Sequence, residues 1–185
     1  MDIIIKNMVC DRCISSVEQL LISSNIAFEK VLLGCATLKE PLTDVSQSNL
    51  SKSLGDLGFE LLEDKNSQYI ERIKNAITIL VHQQENSLKK YTVSAFIETK
   101  VGKDYKALSA LFSTGEGKTI EQYVIAQKVE RIKELISYKE LSISEIADKL
   151  HYSSVAHLSN QFKKYTGITP SQYRNVGTRN ALDHI

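Results

Sequence analysis

The chain has 185 residues, of which 42% are hydrophobic and 24% are charged, a balance that supports a folded core and excludes wholesale disorder. No apolar run reaches the roughly 18–20 residues that cross a bilayer, and the start is too short and too acidic for a signal peptide, so we expect a cytoplasmic protein. Three cysteines are too few for a secreted disulfide scaffold. The common phosphate-binding, nucleophile-elbow and zinc-protease signatures are missing, so we expect no enzyme.

The net charge of +1 conceals two unlike parts of the chain. Residues 1–66 hold 6 basic and 10 acidic side chains, whereas residues 67–185 hold 17 basic and 12 acidic ones. The split favours two domains with different partners, the second of which would tolerate an anionic partner.

The first 65 residues predict a small α+β domain. Strands are expected where β-branched and apolar residues cluster, at residues 3–5, 27–33, 36–39 and 59–62. One helix follows the first strand, and a second is predicted to begin near Ser46 or Ser48 and to turn three leucines inward: Leu50, Leu54 and Leu57. The resulting βαββαβ order is that of a ferredoxin-like domain.

The loop before the first helix contains two thiols, Cys10 and Cys13. Two thiols at this spacing can converge on one ion, and a helix N-terminus favours the thiolate form. Thiolates select soft ions. Two of them satisfy Cu(I), whereas Zn(II) prefers four ligands, so Cu(I) is the favoured ion and Zn(II) the second choice.

The segment from Met8 to Cys13, MVCDRC, resembles the MxCxxC loop of heavy-metal-associated domains in copper chaperones and metal pumps. The resemblance covers the whole first segment. It implies that Met8 is a core residue under the loop and that the two cysteines are metal ligands. Asn7 departs from the glycine that usually precedes the methionine.

Other interpretations of the thiols stay open. They could be relics on a retained scaffold, since a single CxxC is a weak motif and a fold alone does not give function. Cys35 could be a third ligand, although an ordinary, partly buried thiol is favoured. A thiol oxidoreductase is the least favoured reading, because the surrounding elements are not those of thioredoxin.

The remaining chain predicts helices joined by short turns. Residues 64–68 are polar and are expected to form a linker, after which apolar residues recur at helical spacing from Tyr69 to about Gln84. Polar pairs three residues apart predict three further helix starts: Thr119 with Gln122, Ser142 with Glu145, and Thr169 with Gln172. The second pair, Ser142 with Glu145, starts a short helix. A tight turn and a longer helix with Leu158, Phe162 and Tyr165 inward follow it, and the three elements together predict a helix-turn-helix unit.

At these residues the chain is similar to the AraC/XylS family of DNA-binding domains. Residues 141–174, LSISEIADKLHYSSVAHLSNQFKKYTGITPSQYR, resemble that family's second helix-turn-helix unit. Residues 123–136, YVIAQKVERIKELI, resemble its linker helix, and residues 103–112, KDYKALSALF, resemble the recognition helix of its first unit.

The resemblance implies an all-α domain of about seven helices with tandem helix-turn-helix units and one linker helix. Its implied base-facing residues are Lys106, Ser109 and Ala110 in the first unit and Val155, Ala156, Ser159 and Asn160 in the second. Lys163 and the N-termini of both recognition helices would meet phosphate. The two recognition helices would enter adjacent major grooves, over about 20 base pairs.

Two positions depart from the family pattern. His151 stands where the family usually has a glycine in the turn, and a left-handed backbone there would cost a histidine more than a glycine. Ala110 stands where a long polar side chain is common, so the first unit is expected to position the protein more than to read sequence.

The sequence therefore predicts a bacterial, sequence-specific DNA-binding transcription regulator whose first domain responds to a soft metal or to thiol redox state. The expected boundaries are residues 1–65, residues 68–178 and a flexible tail over residues 179–185. Double-stranded DNA is the expected partner, with a homodimer possible and no membrane. The alternative is a metal-handling protein whose helical half is a protein-interaction module.

Overall fold

The computed structural model describes residues 1–83 and 92–179. The described residues divide into two compact units, one made of residues 1–76 and 98–115 and the other of the remaining described chain. None of the described helices combines the length and apolar character that crossing a bilayer requires.

The first unit contains a four-stranded antiparallel sheet in the order β2-β3-β1-β4. The strands are β1 (Asp2–Lys6), β2 (Phe28–Leu32), β3 (Cys35–Leu38) and β4 (Glu60–Leu62), and the helices between them are α1 (Asp11–Ser23) and α2 (Asp44–Asp56). The strands and helices follow one another in the predicted order. Ile3, Ile4 and Ile5 are all buried, so both faces of β1 are covered.

The turn between β2 and β3 depends on Gly34. Its φ of +73° is left-handed, and a Cβ built there would lie 1.7 Å from Nδ2 of Asn75. Only glycine meets the backbone requirement without strain and also leaves room for the asparagine.

Two details of helix α2 differ from the sequence prediction. The N-cap is Thr43, whose side chain accepts from the Ser46 N–H, rather than Ser46 or Ser48. Leu50 and Leu54 are buried as predicted, but Leu57 is the C-cap and is 49% exposed. The helix ends before its third leucine can turn inward.

Residues 64–68 are the start of a helix and not the predicted linker. Helix α3 spans Lys65–Thr78, and the Ser67 N–H donates to Oδ2 of Asp64 at 2.7 Å. Hydrogen bonds from the backbone and side chain of Ser67 hold the pKa of Asp64 below its usual value. The polar residue types that mark a linker are also those that cap a helix. The domain boundaries at residues 65 and 68 stay a prediction.

The other helices are α4 (Val93–Val101), α5 (Tyr105–Glu116), α6 (Ile120–Tyr138), α7 (Ile143–Lys149), α8 (Val155–Thr166) and α9 (Pro170–Arg179). A π-helical segment, Ile79–Gln83, follows α3. Predicted Gln84 lies outside the described residues, and so do residues 180–185 of the predicted tail. The predicted helix count stays a prediction.

The second unit has its core between α6, α7 and α8. Its buried cluster comprises Val129, Ile132, Leu135, Ile136, Ile146, Ala147, Leu150, Tyr152, Leu158 and Phe162. Tyr165 was expected in this core but is 54% exposed. It lies in the last turn of α8, beyond the part of the helix that reaches the cluster, and so the inward stripe ends at Phe162.

Candidate nucleic-acid interface

Helix α7 and the turn after it fix where helix α8 begins. Helix α7 begins with the predicted capping box between Ser142 and Glu145. Helix α8 begins after Ser154, whose side chain accepts from the His157 N–H at 3.1 Å. Helix, tight turn and second helix follow the spacing of a helix-turn-helix unit, and α8 stands where the recognition helix is predicted.

His151, in the turn between these helices, adopts the left-handed backbone that glycine usually supplies. Its φ is +54°. The His151 N–H donates to the Asp148 carbonyl at 3.2 Å, and the Tyr152 N–H donates to the Ala147 carbonyl at 2.9 Å. This pair of bonds is a Schellman motif, which ends helix α7 and sets the direction of the chain into α8.

Helix α8 has one buried side and one exposed side. Leu158 and Phe162 are fully buried. Of the predicted base-facing residues, Val155, Ala156 and Asn160 are exposed and Ser159 is half-buried. The side chains here are small or uncharged, which leaves room for the helix to lie against base edges.

Charge on helix α8 is of one sign. Lys163 and Lys164 stand exposed in its last turns, and the helix contains no acidic residue. A cationic helix without carboxylates can approach a phosphate backbone without like-charge repulsion. The candidate site therefore combines an uncharged exposed surface with a positive end.

His157 belongs to the exposed first turn of α8, and the sequence prediction did not include it. Its Nδ1 lies 3.0 Å from the Ser153 hydroxyl, and its ring meets the edge of Tyr152 at a centroid distance of 5.3 Å. These contacts hold the imidazole beside the predicted reading face. The sequence could have indicated His157 by its position, because it follows the predicted base-facing residue Ala156 and stands one helical turn before Gln161.

The first predicted recognition helix, α5, has a different N-terminus. Lys106 and Ala110 are exposed and Ser109 is half-buried, so the predicted face is accessible. However, the Tyr105 N–H donates to Oε1 of Glu98 at 2.7 Å, and the Ala107 N–H donates to Oδ1 of Asp104 at 3.1 Å. Carboxylates already occupy N–H groups that a phosphate would use, and their charge opposes an anion there.

The two predicted metal-binding thiols lie close together at the start of helix α1. Cys10 is the exposed N-cap residue, and its Sγ lies 3.5 Å from Sγ of Cys13. Hydrogen bonds from the Cys13 backbone and thiol, assisted by the positive charge of Arg12, lower the pKa of Cys10. Met8, two residues before Cys10, is buried, as expected of a core residue.

Cys35 does not share the environment of the other thiols. It is half-buried in β3, and burial followed by the charge of Asp2 raises its pKa. Among the described residues, no three or more histidine, cysteine or acidic side chains are grouped so that they could hold a metal ion. Within the described residues, a site at Cys10 and Cys13 would thus have these two thiols as its ligands.

The helical part of the chain is similar to a known protein family and to curated proteins. Residues 98–175 match a family model described as a helix-turn-helix domain. The Msm operon regulatory protein of Streptococcus mutans is 25% identical over 155 residues, 82% of this chain and 56% of that protein. The xylose operon regulatory protein of Escherichia coli is 27% identical over 118 residues, 64% of this chain and 30% of that protein. The chain therefore spans about half or less of the length of these relatives.

The helical part of the chain is also similar in fold to a solved structure. A Chromobacterium violaceum transcriptional regulator, described as having an AraC-type DNA-binding domain, superposes with a TM-score of 0.51 at 22% identity. The match covers 62% of this chain and 96% of that one. Residues 98–175 thus match a helix-turn-helix domain, and the helical part of the chain is similar in fold to an AraC-type DNA-binding domain.

Proposed function

We propose that this protein is a sequence-specific, DNA-binding transcription regulator of the AraC type. The observation that carries the proposal is helix α8, with one side anchored in the core and the other exposed, small and uncharged up to Lys163. The relatives named above are called operon regulatory proteins, which supports the same function.

The two recognition helices would contribute unequally. Helix α8 would enter the major groove, where the Asn160 amide can pair with adenine and Lys163 can meet phosphate. Helix α5 offers Lys106, Ser109 and Ala110, which supply few hydrogen bonds to base edges, and its N-terminus is occupied by carboxylates. It would position the protein on the duplex more than it would read bases.

Selection from a random duplex library followed by salt titration tests this function. We expect one enriched sequence, and an affinity for it that falls linearly with salt on logarithmic axes because counterions are released. A footprint of about 20 base pairs would show that both helix-turn-helix units contact DNA. A footprint confined to one groove would show that only α8 does. Failure to enrich any sequence would reject the proposal.

The alternative function is a metal-handling protein whose helical half binds another protein. The accessible, closely spaced thiols favour it independently of the helical part. It predicts metal binding with no preference among duplex sequences, so the same selection separates the two functions.

We further propose that residues 1–65 form a ferredoxin-like domain that binds a soft metal ion through Cys10 and Cys13. The strand order and the exposed thiol pair support this assignment. Two accessible thiols with no third ligand grouped beside them in the described chain fit Cu(I) better than Zn(II). The bound ion would supply a charge and a fixed loop geometry, through which DNA binding would respond to metal.

Cu(I) titration tests the thiol site. We expect the wild-type chain to take up one Cu(I) in competition with a chromophoric chelator and the Cys10→Ser/Cys13→Ser variant to take up none, because hydroxyls are poor ligands for soft ions. Cys35→Ser is the matched control and should retain the site. Equal Cu(I) uptake by wild type and the double variant would reject the metal site, and an unchanged DNA affinity with metal would reject the sensor.

A further inference from the structure

The carbonyl of Leu150, the C-cap residue of helix α7, accepts a hydrogen bond from a side chain on a different helix. The Schellman motif uses the carbonyls of Ala147 and Asp148. The Leu150 carbonyl accepts from Nζ of Lys128, on helix α6, at 2.9 Å. A cation at a helix C-terminus interacts favourably with the helix dipole. Lys128 therefore connects the turn between helices α7 and α8 to helix α6.

Lys128 also contacts the aromatic residue that follows the turn. Its Nζ lies 4.9 Å from the centre of the Tyr152 ring, a cation–π geometry. Burial lowers the pKa of the Lys128 ammonium, as expected for a cation withdrawn from water. Its charge is directed at the interior of the unit and not at the exposed face of α8.

Tyr152 carries the connection into helix α8. It is buried, and its hydroxyl donates to Oε1 of Gln161. Burial raises the pKa of Tyr152 to about 12, so the hydroxyl keeps its proton at neutral pH. The Tyr152 ring also meets the ring of His157 edge-on. The two contacts lie four residues apart and so span one turn of the recognition helix.

We propose that Lys128 is a positioning residue that fixes the angle at which helix α8 leaves its turn. It would act through the Leu150 carbonyl and Tyr152, and so set where the reading face meets the bases. The proposal rests on the proposed DNA-binding function. It also explains how the turn can hold His151 in a left-handed backbone. The residues on either side of His151, Leu150 and Tyr152, both contact the Lys128 ammonium group.

Three variants test this role. Lys128→Met keeps most of the side-chain length but removes the donor and the charge, and we expect a loss of DNA affinity of about tenfold with an unchanged salt slope. Lys128→Arg keeps a cation that can lie over the Tyr152 ring and donors for the Leu150 carbonyl, and should bind within about threefold of wild type. Tyr152→Phe keeps the ring and removes the contact to Gln161, and should weaken binding without altering the salt slope. Each affinity is measured at a temperature where circular dichroism shows the variant to be folded.

Two affinity results would overturn the proposal. Wild-type affinity in Lys128→Met, with only the melting temperature lowered, would make the residue a stabilising contact alone. A salt slope reduced by about one would make it a phosphate contact. If Lys128→Met does not fold, Tyr152→Phe decides, and an unchanged affinity there overturns the proposal.

A spectrum of the protein without DNA separates this proposal from the proposed function. We expect the backbone amide cross-peaks of residues 154–160 to shift in Tyr152→Phe and in folded Lys128→Met, and to return toward wild type in Lys128→Arg. Unmoved cross-peaks would overturn the positioning role even if wild type binds DNA. Wild type that binds no duplex would overturn the proposed function without affecting this readout.

Discussion

Replacing Phe162 by alanine is expected to lower the free energy of unfolding of the helical unit by about 3–5 kcal/mol. The side chain is fully buried in the cluster shared by α6, α7 and α8, and its ring packs edge-on against Tyr173 with centroids 5.7 Å apart. Truncation removes the buried ring and leaves a cavity that neighbouring helices cannot close. Urea unfolding followed by far-ultraviolet circular dichroism measures the loss.

Tyr165→Ala is the matched control, since it removes a ring of similar size from the same helix. Tyr165 is 54% exposed and lies outside the cluster, so its loss should change the stability by no more than about 0.5 kcal/mol. Equal destabilisation by the two substitutions would contradict the packing of α8 described above.

Helix starts could be predicted from the sequence where two polar residues cap each other. Thr119 with Gln122 and Ser142 with Glu145 form the expected reciprocal boxes, and Thr169 and Gln172 exchange hydrogen bonds in the same way. The motif is local, because both partners lie within one turn and their spacing alone decides the geometry.

Helix starts with a single capping residue were harder to locate. Thr43, Ser46 and Ser48 all suit an N-cap, and only the structure shows that the N–H of Ser46 donates to Thr43. Asp64 suits both a linker and a cap, and the structure uses it as a cap. The choice depends on how the flanking strand and helix pack, which spacing does not report.

Periodicity predicted which side of a helix is apolar but not how far along it the core extends. Leu57 and Tyr165 both continue an apolar stripe, yet both stand at a helix end and are exposed. For the candidate site, the exposure of Asn160 and Lys163 followed from their offset from Leu158 and Phe162. The contacts of His157 and Lys128 did not, because they depend on side chains that meet only after folding.

Asn160→Ala is expected to cost about 1–3 kcal/mol of DNA-binding free energy at one base position and to relax the preference there. The residue is exposed on α8, two positions before the buried Phe162. Its amide offers a donor and an acceptor side by side, which matches the major-groove edge of adenine, and alanine offers neither. Selection from a random duplex library, repeated with the variant, measures the change in preference position by position.

Lys163→Ala provides the contrast that gives the Asn160 result its meaning. Lys163 is exposed on the same helix, and its ammonium can neutralise a phosphate but cannot distinguish bases. We expect its removal to weaken binding to all sequences alike and to lower the salt slope by about one, with the preferred sequence unchanged. Asn160→Ala should do the reverse, changing the preference and leaving the salt slope as it was. If the preferred sequence survives Asn160→Ala unaltered, this face of α8 does not read bases, and the assignment of Val155, Ala156 and Ser159 to the same face fails with it.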